Sequence, residues 1–163
     1  MKLTAHEEYG LRCLLQIGWR GPGESLTLVE IGKSEQISIA YAAKLMGILR
    51  RAGFVKSVRG KVGGYSLARP ANQIIVGDAL AALGGRLFED GFCQGHSGHG
   101  NVCTHSVDCS IRTFWRTVQL ALDQVLSKTT LQDLLRSEED MRGWVTTLAS
   151  LKAAGLTIGP PAA

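Results

Sequence analysis

Residues 25–70 read SLTLVEIGKSEQISIAYAAKLMGILRRAGFVKSVRGKVGGYSLARP, and this stretch decides the fold. Ser25 and Thr27 can each cap a short helix over residues 28–35, on which Leu28 and Ile31 share a face. Gln36 and Ile37 make a tight connection to Ser38, whose hydroxyl can cap a second helix ending near Gly53. Within it Ala42, Leu45, Met46 and Leu49 recur at helical spacing and form the stripe to be buried, leaving Tyr41, Lys44 and Arg51 to face outward. Two short helices joined this closely, the second basic on its exposed side, predict a helix-turn-helix with residues 38–52 as recognition helix. Two strand-forming runs follow, 54–58 and 65–67, separated by Arg59, Gly60, Lys61, Val62, Gly63 and Gly64. They predict a hairpin wing with a flexible basic tip.

Charge points the same way. No Asp or Glu occurs from Gln36 to Gly77, whereas Lys44, Arg50, Arg51, Lys56, Arg59, Lys61 and Arg69 all fall inside. A solvated face normally mixes both signs, so a one-sign run predicts contact with nucleic-acid phosphates. By position, Ser38, Ala40 and Tyr41 stand nearest the major-groove edge, with Lys44 and Arg51 further along the same helix. Arg59, Gly60, Lys61, Gly63 and Gly64 form a tip suited to close approach, along a phosphate strand or into the minor groove. Paired glycines alone do not make a nucleotide site, because the rest of a phosphate-loop pattern is missing.

Working outward, Thr4 can cap a first helix running to about Trp19, which Gly21, Pro22 and Gly23 end. Cys13 lies in its apolar pattern with Leu11, Leu14, Leu15 and Ile17, where a buried thiol behaves as a small hydrophobe. Residues 75–83 read as a supporting helix stopped by Gly84 and Gly85. From Ser110 to about Lys128, Ile111, Phe114, Trp115, Val118, Leu122 and Val125 recur at three and four positions, as on a long amphipathic helix. That stripe lies outside the reading head and suits pairing with a second subunit, which a two-fold DNA reader needs for paired half-sites. Residues 130–135 can start a short closing helix, and the tail from Gly155 has no pattern and is expected to be mobile. The expected fold is mainly α with a small β-hairpin wing, a winged helix-turn-helix domain plus a long dimerisation helix. The expected divisions are the DNA-binding domain at 1–85, a cysteine-rich loop at 86–109, the dimerisation helix and closing segment at 110–136, and a C-terminal extension at 137–163.

The loop holds the other informative motif, FCQGHSGHGNVCTHSVDC at residues 92–109, with Cys93, Cys103 and Cys109. The start MKLTAHEEYGLRC is charged and amphipathic, and no apolar run approaches the length that crosses a bilayer. A cytoplasmic protein without membrane contact is expected, and there clustered cysteines hold metal or do redox chemistry more often than they form structural disulfides. Thiolates are the usual ligands of iron-sulfur iron and of structural zinc, and a closed site takes four ligands. Three cysteines leave one position, for which the loop offers His96, His99 and His105. A loop this rich in glycine is expected to take a fixed shape only around metal. No helical His-Glu-x-x-His pair, nucleophile elbow or paired carboxylates accompany these residues, so neither an enzyme nor a small-molecule substrate is expected.

Residues 25–70, with VRGKVGGY in the wing, the three cysteines and TLQDLL at 130–135, resemble the bacterial iron-sulfur winged-helix regulators that include IscR, NsrR and RsrR. The likeness runs from Met1 to about Leu135. It implies a homodimer that binds a double-stranded DNA operator and changes its affinity with the state of a 2Fe-2S or 4Fe-4S cluster, reporting cluster status, redox or nitric oxide stress, with cluster-assembly genes among the candidate targets. It also adds a candidate fourth ligand. Glu8 stands where NsrR and RsrR have a carboxylate on the first helix, supplied by the partner subunit. The histidine that IscR places three residues after its last cysteine is Arg112 here, and the additional histidine of RsrR is Arg12, so neither assignment carries over. Glu7, one register away, is expected to be a surface carboxylate. Arg59 resembles the wing arginine that enters the minor groove, while Ala43 replaces a glutamate that helps IscR choose its sequence, so that preference does not transfer. The alternative reading is a winged-helix regulator whose cysteines hold zinc or form reversible disulfides.

Overall fold

A computed structural model describes residues 4–60, 63–86, 88, 92–95, 103, 108–143 and 146. Helix α1 (Ala5–Arg20) starts at a reciprocal cap: Thr4 Oγ1 accepts from the Glu7 N–H at 3.4 Å and the Glu7 carboxylate accepts from the Thr4 N–H at 2.7 Å. Of the two caps offered for α2 (Leu28–Glu35), Thr27 is the one used, in the same box with Glu30. These bonds hold the Glu30 carboxyl below the ordinary carboxylate range. Gln36 ends α2 in the left-handed region at φ 54°, and its neighbour Ile37 donates back to Gly32 O at 3.0 Å. That single strained residue makes the sharp turn into α3 (Ile39–Arg51), capped by Ser38.

The predicted stripe of α3 is the buried one: Ala42, Leu45, Met46 and Leu49 are all fully covered. They pack with Cys13, Leu14 and Ile17 of α1, Ile31 of α2, and Ala79 and Leu83 of α4 (Val76–Gly84) in one core. Each fully buried aliphatic side chain there contributes roughly 1.5–3 kcal/mol. Gly10 lets α1 and α4 close on each other, because a Cβ there would stand 2.4 Å from Leu83 Cδ2.

The wing is β1 (Val55–Val58) paired antiparallel with β2 (Gly64–Leu67), in register from Val55 opposite Leu67 to Val58 opposite Gly64. Leu26 joins as a bridge to Tyr65, through bonds of 2.9 and 2.8 Å. This seats the hairpin against the chain entering α2. A short 3-10 turn, Ala71–Gln73, leads from the wing to α4.

Beyond α4 come α5 (Phe92–Gly95), then α6 (Ser110–Leu126) and α7 (Leu131–Leu134). Gln119 is the one buried residue of α6, whose apolar face lies outside the core. After α6 the chain returns. The Val76 N–H donates to Thr129 O and the Leu131 N–H to Ile74 O, both at 2.8 Å, and Leu131 enters the core with no exposure. The closing segment is thus packed into the reading head. Residues 138–143 are helical again behind a Ser137 cap, a turn that the sequence reading did not anticipate. The tail from Gly155 lies outside the described residues.

Candidate nucleic-acid interface and cysteine loop

Ser38 caps the exposed tip of α3, its Oγ accepting from the Tyr41 N–H at 3.2 Å. Ala40, Lys44 and Arg51 are exposed as the stripe required, with Arg51 lying back over Gly47 of its own helix. Tyr41 departs from the expectation. It is half-buried, its ring edge-on to His6 and Tyr9 at centroid distances of 5.4 and 6.1 Å, and its hydroxyl is 3.4 Å from His6 Nδ1. The outward stripe had room for Tyr41 only because the sequence does not show that α1 runs alongside it.

On the wing, Arg59 and Gly60 are exposed, and Lys61 lies outside the described residues. Gly63 and Gly64 are half-buried, and Gly64 sits within β2. A Cβ on Gly64 would stand 2.5 Å from Leu26 O. That glycine is required by the seating of the hairpin on Leu26. Arg69 closes the base of the wing, its guanidinium 5.0 Å from the centre of the Phe54 ring.

The spacing of the chain missed Ile39. It lies three residues before Ala42 and so continues the buried stripe on paper, yet it is 51% exposed. The first turn of α3 projects past the edge of the core, a fact that only the packed structure gives.

The cysteines stand as free thiols, Cys13 buried and the other three half-exposed. Cys13 has no exposure, and burial pushes its thiol up to about 12. Cys93 lies on α5, Cys103 in the following segment, and Cys109 at the N-cap of α6, where its Sγ accepts from the Arg112 N–H at 3.3 Å. Accessible sulfur donors with a helix N-terminus behind one of them suit a thiophilic centre. Among the described residues no three of His, Cys, Asp or Glu are placed to hold a metal ion. His96, His99 and His105 lie outside the described residues. The start of the loop is tied to α6, since Gln119 accepts from the Phe88 N–H at 3.0 Å and Asp123 pairs with Arg86.

Glu8 is exposed on α1 and pairs with Arg12 at 2.8 Å. Arg12 also reaches Glu35 at 3.9 Å and stands 5.4 Å from the centre of the Tyr9 ring. Glu7 is half-exposed and engaged within its own helix end. It closes the α1 cap, and its side chain lies where a Cβ on Gly84 would be, 2.5 Å from Glu7 Cδ.

A helix-turn-helix with a hairpin wing and an exposed basic surface defines a DNA-binding regulator. The family model described as Rrf2, iron-dependent transcriptional regulator, matches residues 3–137. The chain is 36% identical over 137 residues to protein rrf2 of Nitratidesulfovibrio vulgaris, covering 83% of this chain and 88% of the relative. Among solved structures it is similar to T. potens IscR at TM-score 0.65 and 30% identity, covering 83% of this chain and 86% of that one. It is also similar to the oxidised form of Staphylococcus aureus CymR at TM-score 0.65 and 28% identity, covering 84% of this chain and 98% of that one. The chain belongs to the Rrf2 family of transcriptional regulators. Its matches are to regulators, not enzymes, and among the described residues no helix is long and apolar enough to cross a membrane.

Proposed function

We propose that this regulator is a homodimer that reads a two-fold operator and adjusts its grip through an iron-sulfur cluster held by Cys93, Cys103 and Cys109. The observation that carries the reading is the position of these three accessible free thiols between the reading head and α6. Glu8 of the partner subunit completes the ligand set, with His96, His99 and His105 as the alternatives. When bound, such a group supplies thiolate bonds and a charge that depend on iron supply and on oxidants, including nitric oxide. The chain does the rest. Cys93 and Cys109, drawn to one centre, close the loop at the foot of α6, while Glu8, Arg12, Tyr9 and Tyr41 form a contact series from the candidate ligand to the recognition helix. The exposed apolar face of α6, with Ile111 at 61%, Phe114 at 59% and Val125 at 39%, supports pairing with a second copy.

The DNA surface is proposed as Ser38, Ala40, Lys44 and Arg51 on α3 and Arg59, Gly60, Lys61 and Gly63 on the wing. Tyr41 and Gly64 act there through packing. Arg59→Ala should weaken binding and lower the slope of log affinity against log salt by about one; an unchanged slope excludes a phosphate contact.

The cluster itself is tested by iron and acid-labile sulfide analysis of protein purified without oxygen, beside Glu8→Ala. Iron and sulfide in near-equal amounts, reduced in the variant, fit the proposal. Zinc alone, or no metal, refutes it. A thiol switch is the second reading, resting on the same three accessible free thiols; it predicts no iron and a mobility shift under oxidant.

A further inference from the structure

The tip of α3 carries an apolar surface where a reader usually presents hydrogen-bonding groups. At 100° per residue, Ala40, Lys44, Gly47 and Arg51 point away from the buried stripe, Ala43 flanks them, and Ile39 lies between Ala43 and the edge of the buried stripe. Ile39 and Ala40 are exposed and Ala43 is half-exposed, so the first two turns offer methyl groups between Ser38 at one edge and Lys44 at the other. Ile39 lies beside Gly32 of α2, where an added Cβ would stand 3.7 Å from its Cγ1. A β-branched side chain is stiff at χ1 and meets its partner with little ordering cost.

In a major groove the complementary feature is the C5-methyl of thymine, the one apolar group on a base edge there. The surrounding charge fits the same occupant, because Gln36 to Gly77 holds no acidic residue to repel phosphates. We infer that Ile39 is a specificity-determining residue that packs on a thymine methyl in each half-site, so that this regulator chooses its operator partly by apolar contact. The inference rests on the DNA-reading role proposed above.

The test starts with the full chain, purified without oxygen, and duplexes enriched from a random-sequence library. Each thymine in the enriched sequence is then replaced by deoxyuridine, which removes the methyl and nothing else. The wild-type protein should lose about fourfold in affinity at one thymine per half-site, the equivalent of ~0.8 kcal/mol for a methyl-sized group. Ile39→Ala should bind the thymine duplex more weakly and lose the sensitivity at that position. Deoxyuridine without effect anywhere, or an equal loss in both proteins, overturns the inference and leaves Ile39 as a surface for another protein. If no sequence is enriched at all, the DNA-reading proposal falls first and the inference with it.

Discussion

At the scale of single residues, the chain shows which side chains carry chemistry more readily than which ones carry packing. The VRGKVGGY run marked Gly64 as a wing-tip glycine, yet its Cα faces the Leu26 carbonyl. Nothing in the run records that close approach, since the residue across from it is supplied by another segment. Gly64→Ala should therefore cost about 1–3 kcal/mol of stability by overpacking, read from urea unfolding. Gly60→Ala belongs to the exposed tip and serves as the comparison. Cys13 was legible because its apolar neighbours recur at helical spacing. Its raised thiol pKa gives a signed prediction: the folded chain keeps the proton that the unfolded chain gives up near the ordinary value of 9.0. Stability from this group is complete below pH 9 and is lost as pH rises toward about 12. The alkaline fall in the unfolding midpoint should be shallower in Cys13→Ala, and an identical pH profile would contradict the assignment. In metal-free native protein, iodoacetamide should modify Cys93, Cys103 and Cys109 while sparing Cys13, as mass spectrometry can check.

At the scale of elements, helix starts were readable because Thr4, Thr27, Ser38 and Thr130 are caps whose partners lie within three residues. Such signals are local. The long-range packing of the closing segment was not readable, because residues 130–135 show only a cap and a few apolar side chains. Their seat is made by Ile74, Val76 and Gly18, where a Cβ would stand 3.0 Å from Leu135 Cδ1. Leu131→Ala should cost about 2–5 kcal/mol, measured by denaturant unfolding, as for a fully buried leucine. Helix α6 gives the opposite case, its pattern legible and its partner absent from the single chain. Phe114→Glu should convert the proposed dimer to monomers in analytical ultracentrifugation while circular dichroism stays unchanged; an intact dimer would show that another face pairs.

At the scale of the molecule, the reading head follows from periodicity, caps and charge, and all three lie along the chain. The sensor does not follow in the same way. Cys93, Cys103 and Cys109 were visible as donors, but the proposed ligand set needs a bound group to gather it and, for Glu8, a second copy. Such dependence leaves no trace in spacing. The structure adds the physical connection, with the cysteine loop tied to α6 through Gln119 and Glu8 linked to Tyr41 of α3 through Arg12 and Tyr9. On the proposed function, the state of the cysteine site changes DNA affinity. The measurement is fluorescence anisotropy on one enriched duplex, titrated with anaerobically purified protein before and after the cysteine ligands are freed of metal by chelation. The two affinities should differ 5- to 150-fold, the range given by about 1–3 kcal/mol of coupling. Equal affinities in the two states would contradict it.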